Sequence, residues 1–345
     1  MSVAKVELGR FLFYDRRLST DRNTSCATCH QQARAFTDGR EVAIGATGEK
    51  HPRNTMGLTN VAYMPVLTWA NPEQRAMETQ ALVPMFGEHP VEMGLAGKET
   101  EITRLLRRDP RYERLFKTAF TTDADPYTLE NLTRALAAFQ RTLLSFDAPY
   151  DRYRHGGDKS AISSAAKRGE ALFFSERLAC FHCHGGVNFS DSAVHERLPT
   201  PEIAFHNTGL YNLDRKGAYP AGNTGLIEHT GKAADMGRFR TPSLRNVAVT
   251  APYMHDGSIT TLSAVIDHYM QGGRTIRSGT DRGRGAANPF KSEFVKGFKL
   301  TPTEKIDLIA FLNSLTDKRF LANPEFSDPF AREGPASLTL KETPP

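Results

Sequence analysis

The sequence predicts a mainly α fold made of two similar units, residues 1–155 and 156–345, with long loops between the helices. Three observations predict it. Four markers recur in the same order in both halves. Apolar residues fall at helical spacing in equivalent segments. No segment shows a convincing run of alternating strand residues. With 345 residues, the chain is long enough for two units with their own cores.

The first marker, Gly9-x-x-Leu12-Phe13-Tyr14, is matched by Gly169-x-x-Leu172-Phe173-Phe174, and each closes a helix expected over residues 5–14 and 165–174. Next, Phe36-Thr37-Asp38 is matched by Phe189-Ser190-Asp191. The third marker is Thr55-x-x-Leu58-x-Asn60-Val61-Ala62, repeated as Thr241-x-x-Leu244-x-Asn246-Val247-Ala248. The last is Ala138-Phe139-x-x-x-Leu143, repeated as Ala310-Phe311-x-x-x-Leu315. It belongs to a long amphipathic helix expected over 129–145 and to its counterpart over 301–315. Thr301-Pro302-Thr303-Glu304 starts the latter, with a capping box and Pro at the first helical position. Asp147-Ala148-Pro149-Tyr150 and His155-Gly156-Gly157-Asp158 mark the linker.

All four cysteines lie in two C-x-x-C-H motifs, Cys26-Ala27-Thr28-Cys29-His30 and Cys180-Phe181-His182-Cys183-His184. None remains for a structural disulfide. Zinc would want two Cys pairs converging on one ion, with no His fixed after each pair. Covalent haem needs thiols at i and i+3 to add to the two vinyl groups, and an adjacent imidazole to reach the iron. Two such motifs point to two haem c groups, with His30 and His184 as proximal ligands. The expected fold sharpens to two cytochrome c-like domains, in which the cofactor supplies much of the core.

Hydrophobic residues are 39% and charged residues 24%, ordinary for a globular chain. The formal charge is +5, but Lys and Arg are scattered rather than striped, so nucleic acid is not an expected partner. No apolar run approaches the roughly 20 residues of a membrane span. Residues 1–10 lack the apolar core of a secretion signal. Covalent haem attachment is extracytoplasmic chemistry, so a mature periplasmic chain without its targeting segment is expected.

At this point the residues resemble a known family. Leu8-Gly9-Arg10-x-Leu12-Phe13, Thr241-Pro242-Ser243-Leu244-Arg245-Asn246 and Ala251-Pro252-Tyr253-Met254-His255-Asp256-Gly257-Ser258 resemble the bacterial dihaem cytochrome c peroxidase and MauG superfamily. The segments Pro84-Met85-Phe86-Gly87-Glu88-His89-Pro90-Val91-Glu92-Met93-Gly94 and Phe205-His206-Asn207-Thr208-Gly209-Leu210-Tyr211 are similar to its MbnH-type members, partners of the copper-binding protein MbnP.

The resemblance implies site residues. In the peroxidases, a Met fourteen residues after the His of the Tyr-x-His-Asp-Gly segment ligates the C-terminal haem. MauG-like enzymes use Tyr there. Here that His is His255, and fourteen residues on stands Tyr269. A thioether favours Fe(II) and a phenolate favours Fe(III) and higher states. Met270 and His268 are the alternatives, and a one-residue shift turns a helical side chain by about 100°, so only one of the three faces the iron. Glu92 matches the family's distal glutamate, which moves a proton during peroxide cleavage, and Gln80 and Pro84 match its companions. Met56, Met64, Met85 and Met93 read as core filler. His51 does not fall at the offset of the peroxidases' switchable His. Trp69, the only Trp, matches the family Trp between the haems. It lies nine residues after Asn60, as His255 lies nine after Asn246. The resemblance also implies a calcium ion held by Asn54 and the carbonyls of Thr250 and Pro252, and an Arg245–propionate pair.

The function implied is a peroxide-dependent oxidase. It reaches a high-valent bis-ferryl state and oxidises a Trp of an MbnP-like protein to kynurenine by long-range electron transfer. Two alternatives stay open: a peroxidase drawing electrons from a small redox protein, and a dihaem electron carrier without catalysis.

Overall fold

The structure, a computed structural model, describes residues 1–198 and 203–332. Helices dominate, and the strands among the described residues are two-residue ribbons pairing Phe205–His206 with Phe239–Arg240 and Thr275–Ile276 with Gly283–Arg284. Each half is organised around one packed helix pair. Val3–Tyr14 packs on Leu129–Gln140, and Ser164–Phe173 packs on Pro302–Asn313.

The repeated glycine explains both pairs. A Cβ on Gly9 would run into the Ala135 carbonyl oxygen, and one on Gly169 into that of Asp307. Only glycine lets the two backbones approach this closely. Against each contact stands an aromatic trio. Phe13 lies 6.1 Å from Phe36 and 5.2 Å from Phe139, ring centre to ring centre. Its counterpart Phe173 lies 6.2 Å from Phe189 and 5.1 Å from Phe311. These rings anchor two apolar cores, one per half.

The Pro302–Asn313 helix starts as expected. The Thr301 hydroxyl accepts from the Glu304 N–H, and the Glu304 carboxylate accepts from the Thr301 N–H. The helix expected to run to residue 145 ends at Gln140. Beyond it the chain turns to satisfy Asn60, which is fully buried. The Asn60 N–H donates to the Leu143 carbonyl, and the Ser145 N–H donates to Asn60 Oδ1. Asn246 repeats the arrangement with the Leu315 carbonyl and the Asp317 N–H. Both asparagines have left-handed backbones, at φ 55° and 60°, which Asn tolerates.

Core membership does not divide at residue 155. Tyr150, from the Pro149–Arg154 helix, packs in the second core. After the second unit the chain crosses back, and Phe320 and Phe326 join the first core. Gln32 donates to the carbonyls of Phe320 and Asn323, and the Tyr14 hydroxyl donates to that of Phe326.

Candidate active site

Each C-x-x-C-H motif presents its His in the same way. The His30 Nδ1 lies 2.8 Å from the Phe36 carbonyl oxygen, and the His184 Nδ1 lies 3.0 Å from that of Phe189. With Nδ1 donating, Nε2 keeps its lone pair for a metal. Phe36 and Phe189 have positive φ, 64° and 50°, which costs on the order of 1–3 kcal/mol for such a residue. That turn presents the carbonyl to the imidazole, so the second marker of the repeat is a ligand-orienting device.

Loss of hydration pushes the thiols of Cys26 and Cys180 up to about 12 and that of Cys29 to about 11. Among the described residues the two Cys pairs do not converge, and the one group at metal-binding spacing is Cys183, Asp191 and His206. In it His206 Nε2 lies 2.6 Å from Asp191 Oδ2.

One apolar cavity, with about 2070 Å³ of empty space including its open mouth, gathers many of the expected residues. Its wall holds Cys180, Cys183, His184, Tyr269, Trp69 and His255, together with Asn54, Thr250 and Pro252. Of residues 268–270, only Tyr269 is part of this wall. His268 turns away, with Nε2 3.0 Å from the Thr208 carbonyl, and Met270 packs in the second core. Burial pushes the Tyr269 phenol well above its usual range. Size, apolar walls, free thiols and a ligand pair from separate elements fit a haem c here.

Asn54 links the two halves. Its N–H donates to the His255 carbonyl at 2.8 Å, and its own carbonyl accepts from Trp69 Nε1 at 2.8 Å. The equivalent positions Trp69 and His255 therefore meet at one residue, Asn54. The Asn54 Nδ2 is spent on the carbonyls of Arg40 and Glu41, leaving Oδ1 as its ligand-type atom. His255 stacks on Phe239 at 3.6 Å, and its Nε2 is buried without a partner. Burial lowers its pKa to about 3, so the ring is neutral.

Cys26, Cys29, His30, Glu92, Gln80 and Pro84 lie outside that wall. Glu92 is about a third exposed, and burial of the rest pushes its carboxyl up to about 7. Its charge adds to the upward shift of the Cys26 and Cys29 thiols. The loop is clamped. The Met93 N–H donates to the Pro84 carbonyl, the Ala46 N–H to the Glu92 carbonyl, and the Val91 N–H to Glu49. Gly45 lets this second loop lie directly against the Val91 and Glu92 backbone. Gln80 ends the Met77–Gln80 helix, just before the Leu82–Phe86 helix that carries Pro84. Of the methionines, Met85 and Met93 are core residues, as expected.

Arg245, expected to pair with a propionate, lines the cavity and is also paired within the protein. Both terminal nitrogens pair with Asp151, at 2.9 and 3.0 Å, and Nε donates to the Val187 carbonyl. That guanidinium is held in a buried ion pair and keeps one further N–H on each terminal nitrogen. Sequence reasoning missed Arg240. It is 4% exposed, lines the cavity, and spends its donors on the Thr68 and Thr241 carbonyls and the sulfurs of Met64 and Met56. Desolvation lowers its pKa to about 10, and no carboxylate pairs with it directly among the described residues. Such a cation suits an anionic cofactor edge. The signal was its place beside the third marker. His51 was also set aside, yet its Nε2 stands 4.0 Å from Glu92 Oε1.

A family model described as di-haem cytochrome c peroxidase matches residues 3–159. The cytochrome-c peroxidase IdrP1 of Pseudomonas sp. (strain SCT) is 38% identical over 331 residues, covering 91% of this chain and 81% of that protein. This chain belongs to the dihaem cytochrome c peroxidase and MauG family. The methylamine utilization protein MauG of Methylophilus methylotrophus is 34% identical, over 91% of this chain and 83% of that one. A solved MauG-like protein associated with microbial copper homeostasis superposes with a TM-score of 0.93 at 50% identity, covering 96% of this chain and 94% of its own. As a family member the chain is a peroxide-dependent dihaem oxidoreductase, and the family implies two haem c groups. No helix among the described residues is long and apolar enough to cross a membrane.

Proposed function

We propose that this enzyme is a MauG-like oxidase that uses hydrogen peroxide to oxidise a Trp of an MbnP-like periplasmic protein to kynurenine. Thioether bonds to Cys26 and Cys29, with His30, would hold one haem c, and Cys180, Cys183 and His184 the other. When bound, the haem pair supplies the centre where peroxide is reduced and two oxidising equivalents are kept. Glu92 takes a proton from the near peroxide oxygen and returns it to the leaving one. A pKa of about 7 suits both directions. His51, whose pKa burial lowers, stands with its Nε2 4.0 Å from Glu92 Oε1 as the second titratable group of this site. Trp69 relays charge between the halves, and Arg240 neutralises a propionate. Asn54 with the Thr250 and Pro252 carbonyls offers oxygen ligands to calcium.

The observation that carries the oxidase reading is Tyr269 in the wall of the same cavity as His184, with His268 and Met270 turned elsewhere. A tyrosine ligand to a haem held there would favour stored oxidising equivalents over a high-potential electron inlet. The partner assignment follows the 50% identical relative associated with copper homeostasis. Peroxide is added to the haem-loaded enzyme with an MbnP-like protein, and that protein's mass is measured. A kynurenine-sized shift on one Trp supports the proposal, and an unchanged mass rejects it.

The likeness to IdrP1 favours a second reading, peroxide reduction with electrons from a small redox protein. Mixing the diferric enzyme with peroxide separates the two. Immediate reaction supports the oxidase, and a requirement for prior reduction of one haem supports the peroxidase.

A further inference from the structure

Phe239 and His255, in the cavity wall, begin an aromatic row that continues to Tyr219 and Tyr211. Tyr219 lies 6.2 Å from His255 and 6.3 Å from Phe239, and Tyr211 lies 5.3 Å from Tyr219. All four pack in one cluster or its edge with Trp69. Tyr211 is 7% exposed, and its hydroxyl donates to Asp256 Oδ2 at 2.6 Å. Nothing in the proposed reaction uses this pair.

Tyr211 and Tyr219 differ in what can take their proton. Tyr219 donates to the Asn207 side-chain oxygen, an amide with no useful basicity. Tyr211 donates to a carboxylate. Arg274 sits 4.6 Å over the Tyr211 ring, and its Nη2 lies 3.8 Å from Asp256 Oδ2. Its positive charge makes a cationic ring costly. Tyr211 therefore gives up an electron only as its proton leaves. Tyr112 and Tyr150 also donate to carboxylates, Asp15 and Glu170, but they pack in the separate cores of the two halves, not in the Trp69 cluster.

We infer that Tyr211 and Asp256 form a redox site that takes one oxidising equivalent from the Trp69–haem centre when no protein partner supplies the electron. One electron passes from Tyr211 to the peroxide-oxidised haem pair, which is reduced by one equivalent. The phenolic O–H bond breaks, and the proton forms an O–H bond at Asp256 Oδ2. The products are a neutral tyrosyl radical and a protonated Asp256. Low exposure shields the radical from solvent, so the site holds the equivalent instead of releasing it. This inference rests on the peroxide reaction proposed above.

The haem-loaded full chain is mixed with hydrogen peroxide without a partner, frozen at intervals, and read by electron paramagnetic resonance beside the haem absorbance. The expected result is a tyrosyl signal in the parent enzyme that is lost in Tyr211→Phe and in Asp256→Asn, while Tyr112→Phe and Tyr150→Phe keep it. Asp256→Asn retains an oxygen for the hydrogen bond but not the base, so it tests the proton acceptor even if Tyr211→Phe fails to fold. A signal that survives in Tyr211→Phe overturns the inference, as does haem oxidation without any tyrosyl signal. Haem absorbance that does not respond to peroxide overturns the peroxide reading and this inference together.

Discussion

The surroundings of His30 and His184 are alike on one side and unlike on the other. Behind each imidazole stand the same parts: a Phe carbonyl on Nδ1, an aromatic trio, and a helix crossing closed by glycine. In front of them the parts diverge. The first motif faces a clamped loop bearing Glu92, whose carboxyl titrates near neutrality. The second opens on an apolar cavity with Tyr269 and the unpaired cation of Arg240 in its wall. Duplication preserved the scaffold that orients a ligand. The segments without a counterpart in the other half decide what each site does.

The largest effect that tests this contrast is on Glu92. Glu92→Gln should slow the reaction with peroxide by about 10²- to 10⁴-fold, the usual worth of a positioned acid–base group. Stopped-flow absorbance measures it, and a slowing of less than about tenfold would remove Glu92 from the mechanism. Arg245→Leu should destabilise the second half by about 3–5 kcal/mol, because Asp151 is left buried without its partner. Denaturant unfolding reads this, and a cost near zero would mean that the pair relaxes into water.

A smaller and symmetric effect is expected at the helix crossings. Gly9→Ala and Gly169→Ala should each cost about 1–3 kcal/mol, since both Cβ atoms meet a backbone carbonyl that cannot yield. Unequal melting shifts would show that the two crossings are not equivalent. The mildest test is pH. Glu92 must be ionised to act as base, so the peroxide rate should rise with pH and level off above about 7, and this limb should vanish in Glu92→Gln. Stability runs the other way. A carboxyl raised in the folded state favours folding at low pH, and this contribution fades as pH climbs from its ordinary value toward 7. Glu92→Gln should therefore be more stable than the parent at pH 8 and no more stable at pH 4.

By itself the sequence determined the number of haem motifs, the duplication and the helix pairs, because these rest on local spacing. Two thiols and an imidazole within five residues, apolar side chains every three or four, and a capping box are all short-range. The repeated Gly9 and Gly169 were visible as a pattern, but their purpose needed the partner helix. The helix end at Gln140 was hidden because Asn60, far away in the chain, takes the carbonyl and N–H beyond it. Only the tertiary structure decided which guanidinium in the cavity wall has a carboxylate partner. Arg240 and Arg245 are near neighbours in sequence, and what separates them is Asp151, nearly a hundred residues earlier, which claims one and leaves the other unpaired. The same holds for residues 268–270. Helical geometry says that one of the three faces the cavity, and the Thr208 carbonyl and the second core take the other two. Sequence spacing names the groups able to do the chemistry, and long-range pairing removes those that are already satisfied.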